Sequence, residues 1–161
     1  MIRTATPDDA DAICAIWNPV IRDTTATFTA IEKTPAGIAA LLAEKAADGY
    51  PFWVCTAGKR VTGFATYGQF RGGDGYRHTV EHTVHLDAAA QGQGRGRALM
   101  DALCDHAAGQ GMHSMWAGCS ADNPRAVAFH QRLGFVQMAH LPQVGRKFES
   151  WIDLILLQKM L

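Results

Sequence analysis

The sequence contains no CxxC pair and no cysteine–histidine spacing of a zinc site. Its only cysteines, Cys14, Cys55, Cys104 and Cys119, are scattered along 161 residues. That pattern argues against a zinc finger or a disulfide scaffold and predicts free, buried thiols. Charge of one sign is also missing: 15 Lys and Arg balance 15 Asp and Glu. The chain as a whole therefore carries no basic footprint for a nucleic acid. No apolar run approaches the roughly 20 residues of a membrane helix. The opening MIRTATPDDAD lacks the charged-then-apolar pattern of a secretory signal. Repeats, low-complexity tracts and linkers are absent. A soluble, cytoplasmic protein is expected, without nucleic-acid or membrane partners. Seven histidines are present, but of His78, His82 and His85 only the first two would share a strand face, which matches no ligand set, so no metal is expected.

What is there fits one globular domain over residues 1–161, with 48% hydrophobic and 19% charged residues. Ile2 to Thr4 reads as an edge strand. Thr6, Pro7 and Asp8 carry helix-start chemistry, and Ile13, Ile16, Trp17 and Val20 supply an apolar stripe to about Ile21. The threonine-rich Asp23 to Ala30 reads as a loop holding one large apolar residue, Phe28. Thr34 and Pro35 open a second helix to about Ala47. Strands are expected at Phe52–Ala57, Val61–Gln69 and Tyr76–Leu86, the last preceded by the glycine-rich loop Arg71–Gly75. Helices follow at Gly94 to about Ala108 and Asn123–Leu133, and strands at Ser114–Cys119, Phe135–His140 and Ser150–Leu157. The order is βααβββαβαββ, an α/β chain with a mixed sheet and helices on its faces. A right-handed crossover through the Gly94 helix would make the Tyr76 and Ser114 strands parallel.

At that crossover stands Gln91-Gly92-Gln93-Gly94-Arg95-Gly96-Arg97, directly after a strand and opening a helix. Free amides and the positive dipole end at a helix start favour an anion, and glycines let the backbone close on a phosphate. Arg95 and Arg97 would add charge on the rim. The run is not a Rossmann fingerprint, because Arg97 stands where GxGxxG begun at Gly92 needs glycine, and no Walker loop exists in the chain.

What the run does match is Q/R-x-x-G-x-G/A, through Gln91, Gly94 and Gly96, and here the sequence resembles the GCN5-related N-acetyltransferases (GNAT). Asn123 to Phe135 looks like that family's N-x-x-A-x-x-x-[YH]-x-x-x-G-F segment. Tyr76 to Val84, Leu133-Gly134-Phe135, and Val144 to Phe148 with Trp151 and Asp153 extend the likeness to its phosphinothricin and methionine sulfoximine acetyltransferases. Ala88, where relatives often have proline, and Gly72-Gly73 depart from the pattern. The resemblance implies a GNAT fold, with a mostly antiparallel sheet of about seven strands and four helices. It also implies acetyl-CoA as co-substrate and a small amino-acid-like amine as acceptor. By resemblance, too, Val144–Phe148 borders a homodimer contact near the active site.

Each site residue keeps two readings. Glu81, one of four glutamates, sits mid-strand where a carboxylate has poor β propensity. It is either a solvated strand residue or, by resemblance, the general base acting through water. The fold implies oxyanion donors among the backbone amides of Val84, His85 and Leu86. Asn123 is either a helix cap alone or a cap that also meets the pantetheine arm. His130, where many relatives have tyrosine, is either an acid for the leaving thiolate or packing. Arg71 and Arg77 are candidates for the acceptor's α-carboxylate, Arg71 ranked first, with exposed surface charge as the alternative; Phe28 and Tyr67 are candidates for its apolar wall. Competing functions are a non-catalytic acyl-CoA-binding module, which Glu81 argues against, and acetylation of a protein N-terminus or lysine, which would need an open groove.

Overall fold

The computed structural model describes all 161 residues. Seven strands form one sheet: β1 (Ile2–Thr4), β2 (Phe52–Ala57), β3 (Arg60–Gln69), β4 (Thr79–Leu86), β5 (Ser114–Ser120), β6 (Val136–Lys147) and β7 (Ser150–Met160). Four helices accompany them: α1 (Ala10–Asp23), α2 (Pro35–Ala47), α3 (Arg95–Gly109) and α4 (Pro124–Arg132). The spatial order is β1-β2-β3-β4-β5-β7-β6, antiparallel except for the β4/β5 pair. This is the mixed, mostly antiparallel α/β architecture expected, with the crossover where the sequence places it.

Alternation along the strands sorts the side chains into two cores. Tyr67, Val80, Met115, Ala117 and Leu157 face α3, which buries Leu99, Met100, Leu103 and Ala107 against them. Val54, Val61 and Phe64 face the other way, onto Ile13 and Ile16 of α1 and Ile38 and Leu42 of α2. Each Val, Leu, Ile, Phe or Met among them stabilises the fold by about 1.5–3 kcal/mol. Glu81, Thr83 and His85, out of phase with Val80, therefore project toward the α1/α2 side.

The ends of elements shift where local chemistry overrides periodicity. A 3-10 turn at Pro7–Asp9 precedes α1, because the buried Asp9 carboxylate accepts from the Thr6 amide at 2.8 Å and binds Arg3 through two 2.7 Å contacts. Tyr76 lies in a short turn and β4 begins only at Thr79. β6 runs on to Lys147, well past the expected end at His140, although it contains Pro142 and Gly145, residues that disfavour strand. They are tolerated because β6 is the sheet edge, where a missing N–H costs no ladder bond, and a bulge between Leu141 and Gly145 absorbs the irregularity.

Candidate active site

The end of β4 leads straight into the glycine loop. Asp87 Oδ1 accepts from the Ala89 amide at 2.9 Å and caps a short turn, after which Gly92 and Gly94 both take φ of +75°. That left-handed conformation is easy for glycine and costly for other residues. Gly94 is the N-cap of α3, and the amides of Gly92 to Arg97 make no hydrogen bond within the chain. A Cβ added at Gly92 or Gly94 would meet nothing within 4 Å. Six free donors at the positive end of a 15-residue helix, with open space above two glycines, fit a pyrophosphate.

Two loop residues behave differently from expectation. Gly96 is buried, and a Cβ there would lie 3.3 Å from Leu86 and Phe129, so its missing side chain serves packing of α3 on β4 and α4 rather than space for phosphate. Arg95 is not on the rim: its guanidinium donates to Thr62 Oγ1 at 3.0 Å and is half-buried against β3. Arg97 is exposed, as expected, and donates to the Arg132 carbonyl at 2.9 Å. Gln91 and Gln93 are exposed, Gln93 donating back to the Ala89 carbonyl at 2.8 Å.

Beside the loop the sheet opens. β4 and β5 pair only through Thr79↔Ser114, Val80↔Met115 and Glu81↔Trp116, then diverge, while β4 stays paired with β3 as far as Leu86. Two bonds fix which amides face the gap: Phe70 N donates to Thr79 O at 3.0 Å and Asp87 N to Thr62 O at 3.0 Å. Odd-numbered β4 residues thus bond to β3, and the amides of His82, Val84 and Leu86 point toward β5. Of the three expected oxyanion donors, Val84 and Leu86 face the gap and His85 does not. The His85 ring instead packs on the α1 side between Trp17 and Phe64, its burial lowering its pKa to about 4.

Glu81 is the last β4 residue before the sheet divides. It is half-buried, and burial raises its carboxyl above the ordinary 4.5. A Cβ on Gly118 of β5 would stand 2.9 Å from Glu81 Oε1, 3.6 Å from Leu154 and 4.0 Å from Leu156. The carboxylate thus occupies a notch made by a glycine and floored by half-buried leucines of β7. Trp116, its register partner, stacks on Phe70 with centroids 5.0 Å apart and rings 20° from parallel. The Arg71 guanidinium rests 5.5 Å above the Phe70 ring. Arg71 and Trp116 thus both lie against Phe70, and Trp116 is the strand neighbour of Glu81. Arg77 is directed elsewhere, toward His78, which in turn bonds the Gly111 carbonyl at 3.1 Å.

Residues 17–135 match the sequence model of the acetyltransferase (GNAT) family. The chain belongs to that family. Two curated relatives align over nearly its whole length. An L-amino acid N-acyltransferase, MnaT, of Escherichia coli K12 is 39% identical, covering 99% of this chain and 93% of its own. An L-methionine sulfoximine/L-methionine sulfone acetyltransferase of Pseudomonas paraeruginosa is 38% identical, covering 98% and 92%. Among solved structures, a GNAT superfamily phosphinothricin acetyltransferase from Sinorhizobium meliloti in complex with AcCoA superposes with a TM-score of 0.94 at 28% identity, covering 100% of this chain and 88% of that one.

Within this GNAT domain the remaining candidates separate. Asn123 caps α4, its Oδ1 accepting from the Ala126 amide at 3.2 Å, while its Nδ2 makes no bond within the chain. Phe28 lies on the Glu81 side of the sheet, its ring directly against Gly145. Tyr67 does not, and its assignment to the acceptor wall is corrected. It is 1% exposed on the α3 face, opposite Glu81, with its hydroxyl 2.9 Å from His106 Nδ1. The strand parity that puts Glu81 on one face puts Tyr67 on the other.

His130 is also deeply buried. Its Nδ1 lies 2.8 Å from the Ala126 carbonyl, so Nδ1 carries the proton and Nε2 is a bare acceptor without a partner. Burial depresses its pKa, and a neutral ring in that tautomer has no proton on Nε2 to give. His82 sits 4.9 Å away, centroid to centroid, with both nitrogens unpartnered. The sequence reading missed Phe70, Trp116 and Gly118. A lone glycine between apolar residues in a strand was the available signal, because it marks a close approach. The aromatic stack is visible only once β3 and β5 are brought together.

Proposed function

We propose that the protein is an acetyl-CoA-dependent N-acetyltransferase for the α-amino group of a small amino-acid-like acceptor, of the methionine sulfone, methionine sulfoximine and phosphinothricin kind. The observation that carries this reading is the Glu81 carboxylate, set in the Gly118 notch at the point where β4 and β5 part, with the free amides of Gly92–Arg97 at the far end of the same strand. The amino-acid and sulfoximine substrates of the relatives support the acceptor class.

Acetyl-CoA supplies the acyl group as a thioester. The loop amides hold its pyrophosphate, and Asn123 Nδ2 is placed to meet its arm. Arg71 binds the acceptor's α-carboxylate, because the fork of a guanidinium matches it and its guanidinium rests on Phe70, which stacks on Trp116, the strand neighbour of Glu81. A free amino acid is mostly protonated at pH 7, so Glu81 takes a proton, through water, before the nitrogen attacks. The carboxyl raised by burial is better matched to that task than an exposed one. The Val84 and Leu86 amides stabilise the oxyanion. The C–N bond forms first; as the oxyanion collapses the C–S bond breaks, the nitrogen gives up its remaining extra proton to solvent, the thiolate takes one from solvent, and His130 packs.

The proposal includes a homodimer in the cytoplasm. Val144, Phe148 and Trp151 are 53%, 55% and 61% exposed around the β6–β7 turn. Phe148 and Glu149 both take positive φ there, 50° and 63°, a conformation costly for a large aromatic. Burial against a second copy gives that presentation a purpose. Support for the cytoplasm is the four free thiols; no helix is long and apolar enough to cross a membrane.

Thiol release from acetyl-CoA, measured over a panel of free amino acids, their sulfone and sulfoximine analogues and a peptide with a free N-terminus, tests the reading. Turnover of the small acceptors is expected. Turnover of the peptide alone would overturn it.

A further inference from the structure

Lys147 is a buried cation without an acidic partner. It is 4% exposed, and its ammonium donates to two backbone carbonyls, those of Thr24 at 2.6 Å and Thr27 at 2.9 Å. Both are on the segment that joins α1 to α2, 120 or more residues away in sequence. Charge-assisted bonds of this length are strong, and the negative end of α1 adds to them. A buried charge is costly, and an apolar side chain would fill the same space without that cost. What the ammonium does, and a methyl group could not, is grip the segment.

The grip has a second point two residues earlier. A Cβ on Gly145 would fall 2.3 to 2.7 Å from the Phe28 ring, so the ring lies flush on the β6 backbone. The far end of the segment is fixed as well, by Asn18, which accepts from the Lys33 amide at 2.8 Å and donates to its carbonyl at 2.9 Å. Phe28 is therefore held between two anchors. Gly145 pairs with Ile152, which shares its β7 face with Leu154 and Leu156, the residues flooring the Glu81 notch. Two residues of strand, about 7 Å, separate Ile152 from Leu154. The Phe28 ring so stands on the notch's face of the sheet, one strand spacing beyond Ile152, where the end of a long acceptor side chain would lie if its amine meets Glu81.

We propose that Lys147 is a positioning residue for acceptor choice: by holding the Thr24 and Thr27 carbonyls it fixes Phe28 against Gly145 and so favours acceptors with a side chain of methionine length over short ones. The proposal rests on the reading that the acceptor lies over Glu81, and it assigns Lys147 no contact with substrate.

The test is a double-mutant cycle on the full-length protein, with methionine sulfone and alanine as acceptors at saturating acetyl-CoA. Lys147→Met should lower the ratio of kcat/KM for methionine sulfone over alanine by about tenfold, through KM, with CoA affinity unchanged. In a Phe28→Ala background the same substitution should change that ratio less than about twofold, because its effect passes through Phe28. Lys147→Gln, which keeps N–H donors, should restore part of the ratio and serves if Lys147→Met does not fold. An unchanged ratio in both Lys147 variants, or an equal fall with and without Phe28, overturns the proposal. A wild-type enzyme inactive on both acceptors would instead overturn the reading of the site.

Discussion

Glu81 Oε1 lies 2.9 Å from the position a Cβ on Gly118 would occupy. The carboxylate of one strand thus fills the space left by the absent side chain of the next, just where the two strands cease to pair. Gly118→Ala should displace the carboxylate while leaving the cofactor loop intact. A misplacement of about 1 Å can cost on the order of 10²-fold, so kcat should fall by about 10- to 100-fold with CoA affinity unchanged. Steady-state kinetics beside calorimetry would check this, and wild-type kcat in Gly118→Ala would remove the notch from the account.

The two glycines of the loop should fail in different ways. Gly94→Val strains a residue at φ +75° and fills the open space before the free amides, so CoA affinity should be lost in a folded protein. Gly96→Val should first overpack Leu86 and Phe129, costing about 1–3 kcal/mol of stability. Comparing Tm with CoA binding separates them. Equal behaviour of the two variants would contradict the division of labour.

Arg71→Ala should raise the acceptor's KM by about 10-fold or more, since a lost charge-assisted contact costs roughly 1.5–3 kcal/mol. Arg77→Ala should not, because Arg77 is turned toward His78. The reverse pattern would reassign the carboxylate site.

Stability should fall as pH drops below about 6.5, the ordinary histidine value. Burial keeps His82, His85 and His130 neutral in the folded chain, His82 well below 6.5 and His85 near 4. The unfolded chain binds protons that the folded chain refuses, so the stability present above 6.5 is lost as pH falls. Each group contributes up to about 1.4 kcal/mol per pH unit, and His85 stops contributing below about 4. Glu81, raised by burial, opposes this only within its own lower range. Urea unfolding at pH 7, 6 and 5 is the measurement, and a flat profile would contradict the burial of the three rings.

The architecture and the cofactor loop were legible because their signals are local. Strand, glycine run and helix follow one another directly from Thr79 to Gly109, and Asn123-Pro124 announces a cap. The acceptor side was less so, because it is assembled across strands. Tyr67 and Phe28 were indistinguishable as aromatic candidates until strand parity put Tyr67 on the α3 face and the contact with Gly145 put Phe28 on the other. The length of β6 was hidden by Pro142 and Gly145, which break a central strand but not an edge strand. Lys147 carries no local signal of its role, since nothing in the sequence shows that Thr24 and Thr27 lie beneath it.

The central claim is that Glu81 is the general base, and Glu81→Gln tests it most directly. The variant keeps the shape of the side chain but removes its basicity. With acetyl-CoA and methionine sulfone, kcat should fall by about 10² to 10⁴ while CoA still binds. The wild-type rate should rise with pH along one limb lying above the ordinary carboxylate value, and in the variant that limb should move toward the pKa of the amine itself. A Glu81→Gln enzyme with near-normal kcat and the wild-type pH profile would contradict the account.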